Sequence, residues 1–205
     1  MKHSITNSTG SGDKESPYRA NKYEMKRLKL IGDYVGPGRI LDIGYAQAPN
    51  PHLISHDRHV VGADILAPHG ETGYDEHLQG DVMSLSDQLT KDPFDYIVAA
   101  EFIEHVEQPY DILRLFKSAL KSNGSLILTT PNPLGFPVFM YEWTNSKRRF
   151  FSFDHTYYFL PRWMIKMLED TGFRVEAVKG VGLWPLALAC PATLSYQVLY
   201  LARPA

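Results

Sequence analysis

The sequence predicts an α/β sandwich, in which helices cover both faces of a mostly parallel β-sheet. Three observations support this prediction. Short apolar runs alternate with segments of helical periodicity through five units, beginning near residue 23. Several of these runs end in an acid or a glycine, as buried parallel strands do when they stop at a ligand. Two more strand-like segments, residues 173–178 and 196–202, close the chain on either side of an apolar loop.

The first strand organises the rest of the chain. Residues 39–48, RILDIGYAQA, form an apolar run that ends in an acid and a glycine. Asp42 enters a buried turn, where only hydrogen bonds or a cationic ligand would offset its desolvation. Gly44 lets the backbone turn and approach a ligand without a Cβ in the way. A turn acid that accepts hydrogen bonds from nearby backbone amides explains Asp42 equally well.

The remaining elements follow in order along the chain. Helices are predicted over residues 23–34, 84–91, 109–120 and 161–171, with a short helix inside 52–56. Further strands are predicted over residues 59–65, 78–82, 94–100 and 125–130. Asn123-Gly124 is predicted to stop the helix at 109–120.

Two regions stand apart from this alternation. Residues 136–163 contain 11 aromatic residues, too many and too irregularly spaced for a single helix or strand. We interpret an insertion at about 134–160 as an aromatic cap. Residues 1–20 have almost nothing to bury, and we expect a disordered tail there. Residues 21–205 then form one domain.

Composition restricts the classes of function. The 205 residues, 44% hydrophobic and 21% charged, suffice for one domain with a proper core. A net charge of -2 and an isoelectric point near 6.4 argue against broad electrostatic binding to nucleic acid. The single cysteine, Cys190, excludes an intrachain disulfide. Because no apolar run approaches the ~20 residues of a membrane span and no signal peptide is visible, we expect a cytoplasmic protein.

Polar residues follow three of the predicted strands, and one bound molecule could contact all of them. Asp64 follows Asp42 by 22 residues, near the spacing at which an acid binds ribose hydroxyls in nucleotide-binding α/β units. Asp81 can accept a hydrogen bond from an exocyclic amine while the amide of Val82 donates to a ring nitrogen, and the pair would recognise an adenine edge. The alternative is that these acids only stabilise turns and that their spacing is accidental.

The order of these motifs resembles the class I S-adenosylmethionine-dependent methyltransferases over about residues 23–204. It looks like the small-molecule members that modify quinones and glycans. The residues similar to the family's first motif, ribose acid, adenine turn, fourth strand and following motif are 41–44, 62–65, 80–82, 94–98 and 101–106. The resemblance implies S-adenosylmethionine as the cofactor. It also implies a three-layer Rossmann-like sandwich with a seven-stranded, mostly parallel sheet and a reversed last strand.

The resemblance also implies which residues bind the cofactor. Gly44 would let the methionine part of the cofactor run close to the backbone, and Ala100 or Glu101 would contact the amino group of that part. The implied cofactor-binding residues are Asp42, Gly44, Tyr45, Asp64, Ile65, Asp81, Val82, Ala100 and Glu101. The family's first motif normally carries Gly-x-Gly-x-Gly, and this chain has Ala46 and Ala48 at the second and third positions. Each added methyl group narrows the approach of the cofactor.

His155 is predicted to be the catalytic residue. A neutral imidazole can act as a general base and take a proton from an acceptor hydroxyl. Glu101, Glu104 and His105, together with His155, also resemble the set that binds a divalent metal in small-RNA 2′-O-methyltransferases and some ubiquinone-biosynthesis O-methyltransferases. Our prediction includes no metal, and a metal at these residues or a hydrogen-bonded lid histidine are the alternatives.

We therefore predict an S-adenosylmethionine-dependent methyltransferase that acts on an oxygen of a small molecule, a sugar or a lipid-linked glycan. Lys147-Arg148-Arg149 would hold a phosphate of an amphipathic acceptor, and residues 181–192 would touch a membrane surface. A solvated basic run and core packing are the simpler explanations. Two other functions stay open. A NAD-dependent oxidoreductase would need Gly-x-Gly-x-x-Gly, which residues 44–49 do not supply, and a non-catalytic scaffold would explain the missing glycines.

Overall fold

The computed structural model describes residues 22–144, 155–181 and 192–205, which form one seven-stranded sheet and its covering helices. The strands are β1 (Gly38–Ile43), β2 (Arg58–Asp64), β3 (Glu76–Gln79), β4 (Phe94–Ala100), β5 (Leu120–Pro131), β6 (Phe173–Val181) and β7 (Gln197–Pro204). The helices are α1 (Lys22–Asp33), α2 (Ser86–Lys91), α3 (Pro109–Ala119), α4 (Phe136–Thr144) and α5 (Pro161–Asp170). Short 3₁₀ turns lie at Pro51–Leu53 and Ala192–Leu194.

The sheet has the strand order β3-β2-β1-β4-β5-β7-β6. The first five strands are parallel, and β7 runs antiparallel between β5 and β6. The predicted mostly parallel sheet and its reversed last strand are therefore confirmed. Because the order reverses between β1 and β4, a crevice forms at the carboxyl ends of these strands, where open α/β sheets bind ligands.

Apolar side chains on the two faces of the sheet form separate clusters. On one face Ile31 of α1 joins Ile40 of β1. On the other face Phe116 of α3 and Met164 of α5 join Leu41. Neighbouring residues such as Ile40 and Leu41 point to opposite faces because the side chains of a strand alternate. Full burial of each such side chain contributes roughly 1.5–3 kcal/mol, so both helical layers are firmly attached.

The end of α1 is fastened to the sheet by one arginine. The guanidinium of Arg58, in β2, donates hydrogen bonds to the carbonyls of Val35, Gly36 and His52. The carbonyls of Val35 and Gly36 follow the end of α1, and that of His52 lies in the 3₁₀ turn Pro51–Leu53. Arg58 thus fixes α1 across the edges of β1 and β2, and α1 in turn delivers a side chain to the site described below.

The predicted bounds of the third strand are wrong, as are those of the junction between the helix at 109–120 and the strand predicted to begin at residue 125, which begins at Leu120. The third strand is Glu76–Gln79 instead of residues 78–82, because parallel pairing with β2 ends where Asp64 meets Gln79. Asn123-Gly124 does not stop α3, which ends at Ala119 and passes directly into β5. Gly124 instead lies against β4, where an added Cβ would approach the carbonyl oxygen of Phe94 to 3.0 Å.

Some predictions fall outside the described residues. They are the tail at residues 1–20, the basic run Lys147-Arg148-Arg149, Cys190 and most of the apolar loop at residues 181–192. In the aromatic region, α4 occupies the first nine positions, and residues 155–160 lead without helix or strand into α5. In the part of the chain that the structure describes, no helix has both the length and the apolarity to cross a bilayer.

Candidate functional site

A cavity of about 600 Å³ opens at the carboxyl ends of β1 to β4. Pockets for small ligands and cofactors usually measure ~300–1,000 Å³, so one nucleotide-sized molecule fits. Each strand contributes the residue at its end or the first residues of the turn that follows. The predicted residues that line this cavity are Gly44, Asp64, Ile65, Asp81, Val82 and Glu101.

The carboxylate of Asp64 is held between two loops at the cavity wall. Its Oδ2 accepts a hydrogen bond from the amide of Ala46 at 2.8 Å, and its Oδ1 accepts one from the amide of Leu66 at 2.9 Å. Each carboxylate oxygen has a further lone pair. The same group can therefore also accept hydrogen bonds from two neighbouring hydroxyls of a ligand.

One end of the cavity is an apolar slot with a polar edge. Ile65, Val82 and Met83 line it, and Ile65 is 67% exposed, which is high for an isoleucine beside a cavity. Asp81 fixes the turn after β3, because its Oδ1 accepts a hydrogen bond from the amide of Met83 at 2.9 Å. A flat heterocycle would cover this apolar surface while its edge faces Asp81.

Gly44 allows the chain to turn away from β1. Its φ is +73°, and an added Cβ would approach Cδ2 of Phe102 to 3.1 Å. Among the non-glycine residues that the structure describes, only Glu101 has a positive φ. Ala46 and Ala48 therefore adopt ordinary backbone conformations, and the loop is not strained by the loss of glycine at these positions.

Three more predicted residues lie behind the cavity wall. Asp42, Tyr45 and Ala100 surround a second cavity of about 30 Å³. Asp42 is buried, and the hydroxyl of Tyr74 donates a hydrogen bond to its Oδ2 at 2.6 Å. Burial raises the pKa of Asp42 to about 7, although the hydrogen bond from Tyr74 acts in the opposite direction. None of these three residues lines the main cavity, although Gly44 borders both cavities, and their contact with a cofactor stays a prediction.

Glu101 combines an uncommon backbone with a fixed side chain. Its φ of +52° is costly for a residue with a Cβ, and such conformations cluster at functional sites. The hydroxyl of Thr129 donates to Oε1 at 2.9 Å, and the side-chain amide of Gln197 donates to Oε2 at 2.7 Å. Burial raises the pKa of Glu101, and the guanidinium of Arg27 opposes this shift. The carboxylate is therefore anchored to β5 and β7 at the cavity wall.

Arg27 is a site residue that the sequence analysis missed. It lies on α1, is almost fully buried, and places its Nη1 3.5 Å from Oε2 of Glu101. It also borders the small cavity together with Gly44. The sequence does contain a signal for this role. Arg27 lies four residues before Ile31, and this spacing puts a cation on the apolar face of α1.

A second group of functional side chains lies beside the main cavity. Each of Glu104, His105 and His155 offers one atom that could bind a metal ion. These three atoms lie within 4.8 Å of one another. The imidazole rings of the two histidines are 4.7 Å apart and nearly perpendicular. His105 also lines the main cavity. Glu101, the fourth residue of the predicted metal set, is outside this cluster.

Backbone hydrogen bonds bring the distant His155 to this cluster. The amides of Thr156 and Tyr157 donate to the carbonyl of Glu104 at 2.8 and 3.1 Å. The segment after His155 is thereby paired with the turn after β4. A carboxylate and two imidazoles can hold a divalent ion, and an imidazole alone can accept a proton.

Comparison with known sequences gives consistent relatives. A family model described as a methyltransferase domain matches residues 18–178. The ubiquinone biosynthesis O-methyltransferase of Xanthomonas euvesicatoria pv. vesicatoria (strain 85-10) is 28% identical over 200 residues, covering 88% of this chain and 79% of that protein. The protein of the same name from Coxiella burnetii (strain RSA 331 / Henzerling II) is 24% identical over 195 residues, covering 88% and 80%.

Solved structures show the same architecture. A SAM dependent methyltransferase from Archaeoglobus fulgidus superimposes with a TM-score of 0.67 at 18% identity, covering 87% of this chain and 92% of that one. At such low identity the likeness concerns the fold alone. It confirms the three-layer Rossmann-like sandwich that the sequence predicts.

Proposed function

Since this chain belongs to the methyltransferase domain family and is a class I S-adenosylmethionine-dependent methyltransferase, we propose that it methylates an oxygen of a small-molecule acceptor. The observation on which this proposal rests is the cluster of Glu104, His105 and His155 beside the main cavity. Its chemistry suits the activation of a hydroxyl group. Family membership also decides against the NAD-dependent oxidoreductase considered above.

The main cavity suits S-adenosylmethionine in size and in polar groups. In the proposed placement Asp64 accepts hydrogen bonds from the ribose hydroxyls, and the slot beside Asp81 and Val82 takes the adenine. The methionine part then lies along Gly44 and Glu101. This placement covers the exposed side chain of Ile65 with an aromatic ring.

Arg27 completes the proposed cofactor site. Its guanidinium borders the small cavity directly behind Gly44, where the methionine carboxylate would arrive. A buried guanidinium binds a carboxylate strongly because its hydrogen bonds are charge-assisted. Glu101, held by Thr129 and Gln197, keeps Arg27 in place and offers a negative charge to the cofactor's ammonium group.

The bound cofactor supplies an electrophilic methyl group on its sulfonium. The residues of the chain then have three tasks: they align the acceptor oxygen with that methyl group, exclude water, and accept the proton of the hydroxyl. The cavity wall between Glu101 and His105 aligns the acceptor oxygen with the methyl group. His155 is the proposed proton acceptor, because its ring lies against that of His105 and the backbone that follows it is bonded to Glu104.

Glu104, His105 and His155 would also hold a divalent ion, since the donor types and their mutual distances fit one. In that case the ion would orient the acceptor and acidify its hydroxyl, and His155 would act as a ligand instead of a base. Both versions assign the same three residues to acceptor activation. They differ in whether a chelator stops the reaction.

The acceptor class is proposed from the relatives and from the surface around the site. Two relatives carry the name ubiquinone biosynthesis O-methyltransferase, which supports a phenolic acceptor. Exposed apolar side chains on α4, the helix that follows the carboxyl end of β5, support an acceptor with an apolar part, whether a quinone precursor or a lipid-linked glycan. They include Trp143, which is 73% exposed, with Phe139 6.2 Å away on the same helix. Peripheral contact with a membrane surface is proposed on the same grounds.

The experiment measures formation of S-adenosylhomocysteine from S-adenosylmethionine with catechol, phenol and sugar probes. We expect a thermal shift with S-adenosylhomocysteine but not with NAD, and turnover that depends on a hydroxylated probe. Loss of turnover on chelation, with recovery on adding Mg²⁺, selects the metal-bound version. Turnover that is indifferent to chelation selects His155 as a base. Turnover of amine or thiol probes but of no hydroxylated one would overturn O-methylation.

A further inference from the structure

One tyrosine hydroxyl joins the two ends of the turn that follows β1. The hydroxyl of Tyr74 donates to Oδ2 of Asp42 at 2.6 Å and accepts from the backbone amide of Asn50 at 2.7 Å. Asp42 lies just before this turn, and Asn50 ends it. We call these two hydrogen bonds the Tyr74 bridge, and residues 44–50 the cofactor loop.

Asn50 extends the Tyr74 bridge to the helical layer. Its side chain is buried, and its Nδ2 donates to the carbonyl of Leu28 at 3.0 Å. Its Oδ1 accepts from the amide of His52 at 3.0 Å. Leu28 is the neighbour of Arg27 on α1. The end of the cofactor loop is therefore tied both to Asp42 and to the helix that presents Arg27.

Aromatic packing holds Tyr74 in position. Its ring centroid lies 5.3 Å from that of Tyr45 and 6.3 Å from that of His77. The hydroxyl of Tyr45 and Nδ1 of His77 are 2.9 Å apart. Gly62 makes room for this group, since an added Cβ would lie 2.6 Å from the ring of Tyr45.

The cofactor loop has few other internal supports. It contains one glycine, two alanines and a proline, and inside it the amide of Ala48 donates to the carbonyl of Tyr45 at 3.0 Å. The amide of Asn50 is buried, so losing its partner would leave an unsatisfied donor. The Tyr74 hydroxyl meets this need and at the same time partly satisfies the buried Asp42.

We propose that Tyr74 is a positioning residue, which orders the cofactor loop through Asp42 and Asn50 and thereby sets the affinity for the cofactor. This inference rests on the proposed placement of the cofactor along Gly44. The Tyr74 hydroxyl does not touch the cofactor in this placement, because Asp42 and the loop lie between them. Its effect therefore concerns binding and not the methyl transfer itself.

The Tyr74 bridge also predicts a pH dependence. Asp42 faces Tyr74, Tyr45 and Asp64, and it shares the small cavity with Arg27. The hydrogen bond from Tyr74 lowers the pKa of Asp42 and favours the ionised form. The ionised carboxylate accepts the Tyr74 hydrogen bond more strongly and so keeps the cofactor loop ordered, and affinity should therefore fall as the pH drops through about 7. Removing the hydroxyl raises this pKa and moves the fall to higher pH.

The test compares Tyr74→Phe with the wild type by calorimetric titration of S-adenosylhomocysteine between pH 6 and 8.5. A hydrogen bond to a charged group is worth enough for a roughly tenfold or greater rise in Kd. We expect that rise, a pH midpoint shifted upward, and a kcat at saturating cofactor within about twofold of the wild type. Tyr34→Phe is the matched control, because Tyr34 packs on the same apolar cluster without bonding Asp42.

Asp42→Asn supplies a second variant. It keeps an acceptor for the Tyr74 hydroxyl but cannot ionise, so its affinity should be independent of pH. Wild-type affinity and pH profile in Tyr74→Phe would overturn this inference alone, as would an equal loss of affinity at every pH. A wild type that fails to bind S-adenosylhomocysteine would instead overturn the cofactor placement itself.

Discussion

The two sides of the candidate site are assembled in different ways. The cofactor side uses residues within 42–101 at the ends of four adjacent strands, together with Arg27 from α1. The acceptor side combines Glu104 and His105 from one turn with His155, which follows about fifty residues later. On the cofactor side Asp64 and Glu101 are fixed by side-chain hydrogen bonds. On the acceptor side His155 is brought in by backbone pairing with Glu104.

This difference indicates a division of labour. The parallel register of the sheet determines where the ends of β1, β2 and β4 lie, so the cofactor side is preorganised by the fold itself. The acceptor side depends on a segment that the sheet does not position. We therefore expect substitutions on the cofactor side to change the affinity for the cofactor, and substitutions on the acceptor side to change turnover. The following predictions test this separation, beginning with the largest effect.

His155→Ala should lower kcat for a turned-over hydroxylated probe by about a thousandfold, because proton acceptance contributes 10²–10⁴ in rate. The Kd for S-adenosylhomocysteine should stay within about twofold of the wild type. Steady-state kinetics and calorimetry measure the two effects. His59→Ala is the matched control, since His59 is exposed and pairs with Glu76 at 2.7 Å, away from the cavity. An equal loss in Kd would break the separation between the two sides.

Asp64→Ala should raise the Kd for S-adenosylhomocysteine about a hundredfold. It removes the proposed acceptor of both ribose hydroxyls, and hydrogen bonds to a charged group are worth ~1.5–3 kcal/mol each. Calorimetry gives the Kd, and Asp33→Ala is the control because Asp33 makes an exposed pair with Lys29. An unchanged Kd would remove Asp64 from the site.

Arg27→Met should raise the same Kd about tenfold, through the loss of a charge-assisted hydrogen bond. It should also lower the melting temperature, because the half-buried Glu101 loses its cation. The double variant with Glu101→Gln separates the two effects. It should recover the melting temperature but not the affinity. Recovery of both would reduce Arg27 to a purely structural partner of Glu101.

Ala46→Gly should have the smallest effect. Because Ala46 has no positive φ, restoring the glycine of the family pattern relieves no strain. We expect a Kd changed by less than about threefold and a free energy of unfolding lower by roughly 0.5–1 kcal/mol, from added chain entropy in the unfolded state. Urea unfolding and calorimetry measure both. A Kd improved tenfold would show that the alanine methyl obstructs the cofactor.

The sequence was sufficient for the parts of the fold that follow from local patterns. Asp64 was found because an apolar run precedes it and a parallel sheet aligns such ends, and Asp81 was found from the turn residues Gly80-Asp81-Val82. Arg27 was missed because it lies on a helix and not at a strand end, although its spacing from Ile31 places it on the buried face of α1. Asp42 was expected among the cofactor ligands, and its hydrogen bond from Tyr74, 32 residues later in the chain, is a contact that no local pattern reveals.

The predicted element boundaries were wrong where strand pairing, and not the local residue pattern, determines them. The edge strand β3 is largely exposed, so its apolar pattern is weak and only its register with β2 defines it. The direct passage from α3 into β5 likewise depends on how β5 meets β4, where the register shifts between Phe94 and Tyr96. The convergence of His155 with Glu104 is a long-range backbone contact. In the sequence, only the family resemblance indicated that these two residues come together.

The antiparallel β7 has a practical consequence for handling the protein. Gln197 pairs with Pro131 at the carboxyl edge of the sheet, and Ala202 pairs with Leu126 farther toward the amino edge. The backbone amide of Ala205 then donates to the carbonyl of Gly172, on the side remote from the cavity. A fluorophore or an immobilisation handle attached at the position of Ala205 would leave the cavity entrance clear, so surface-based measurements can be made without covering it.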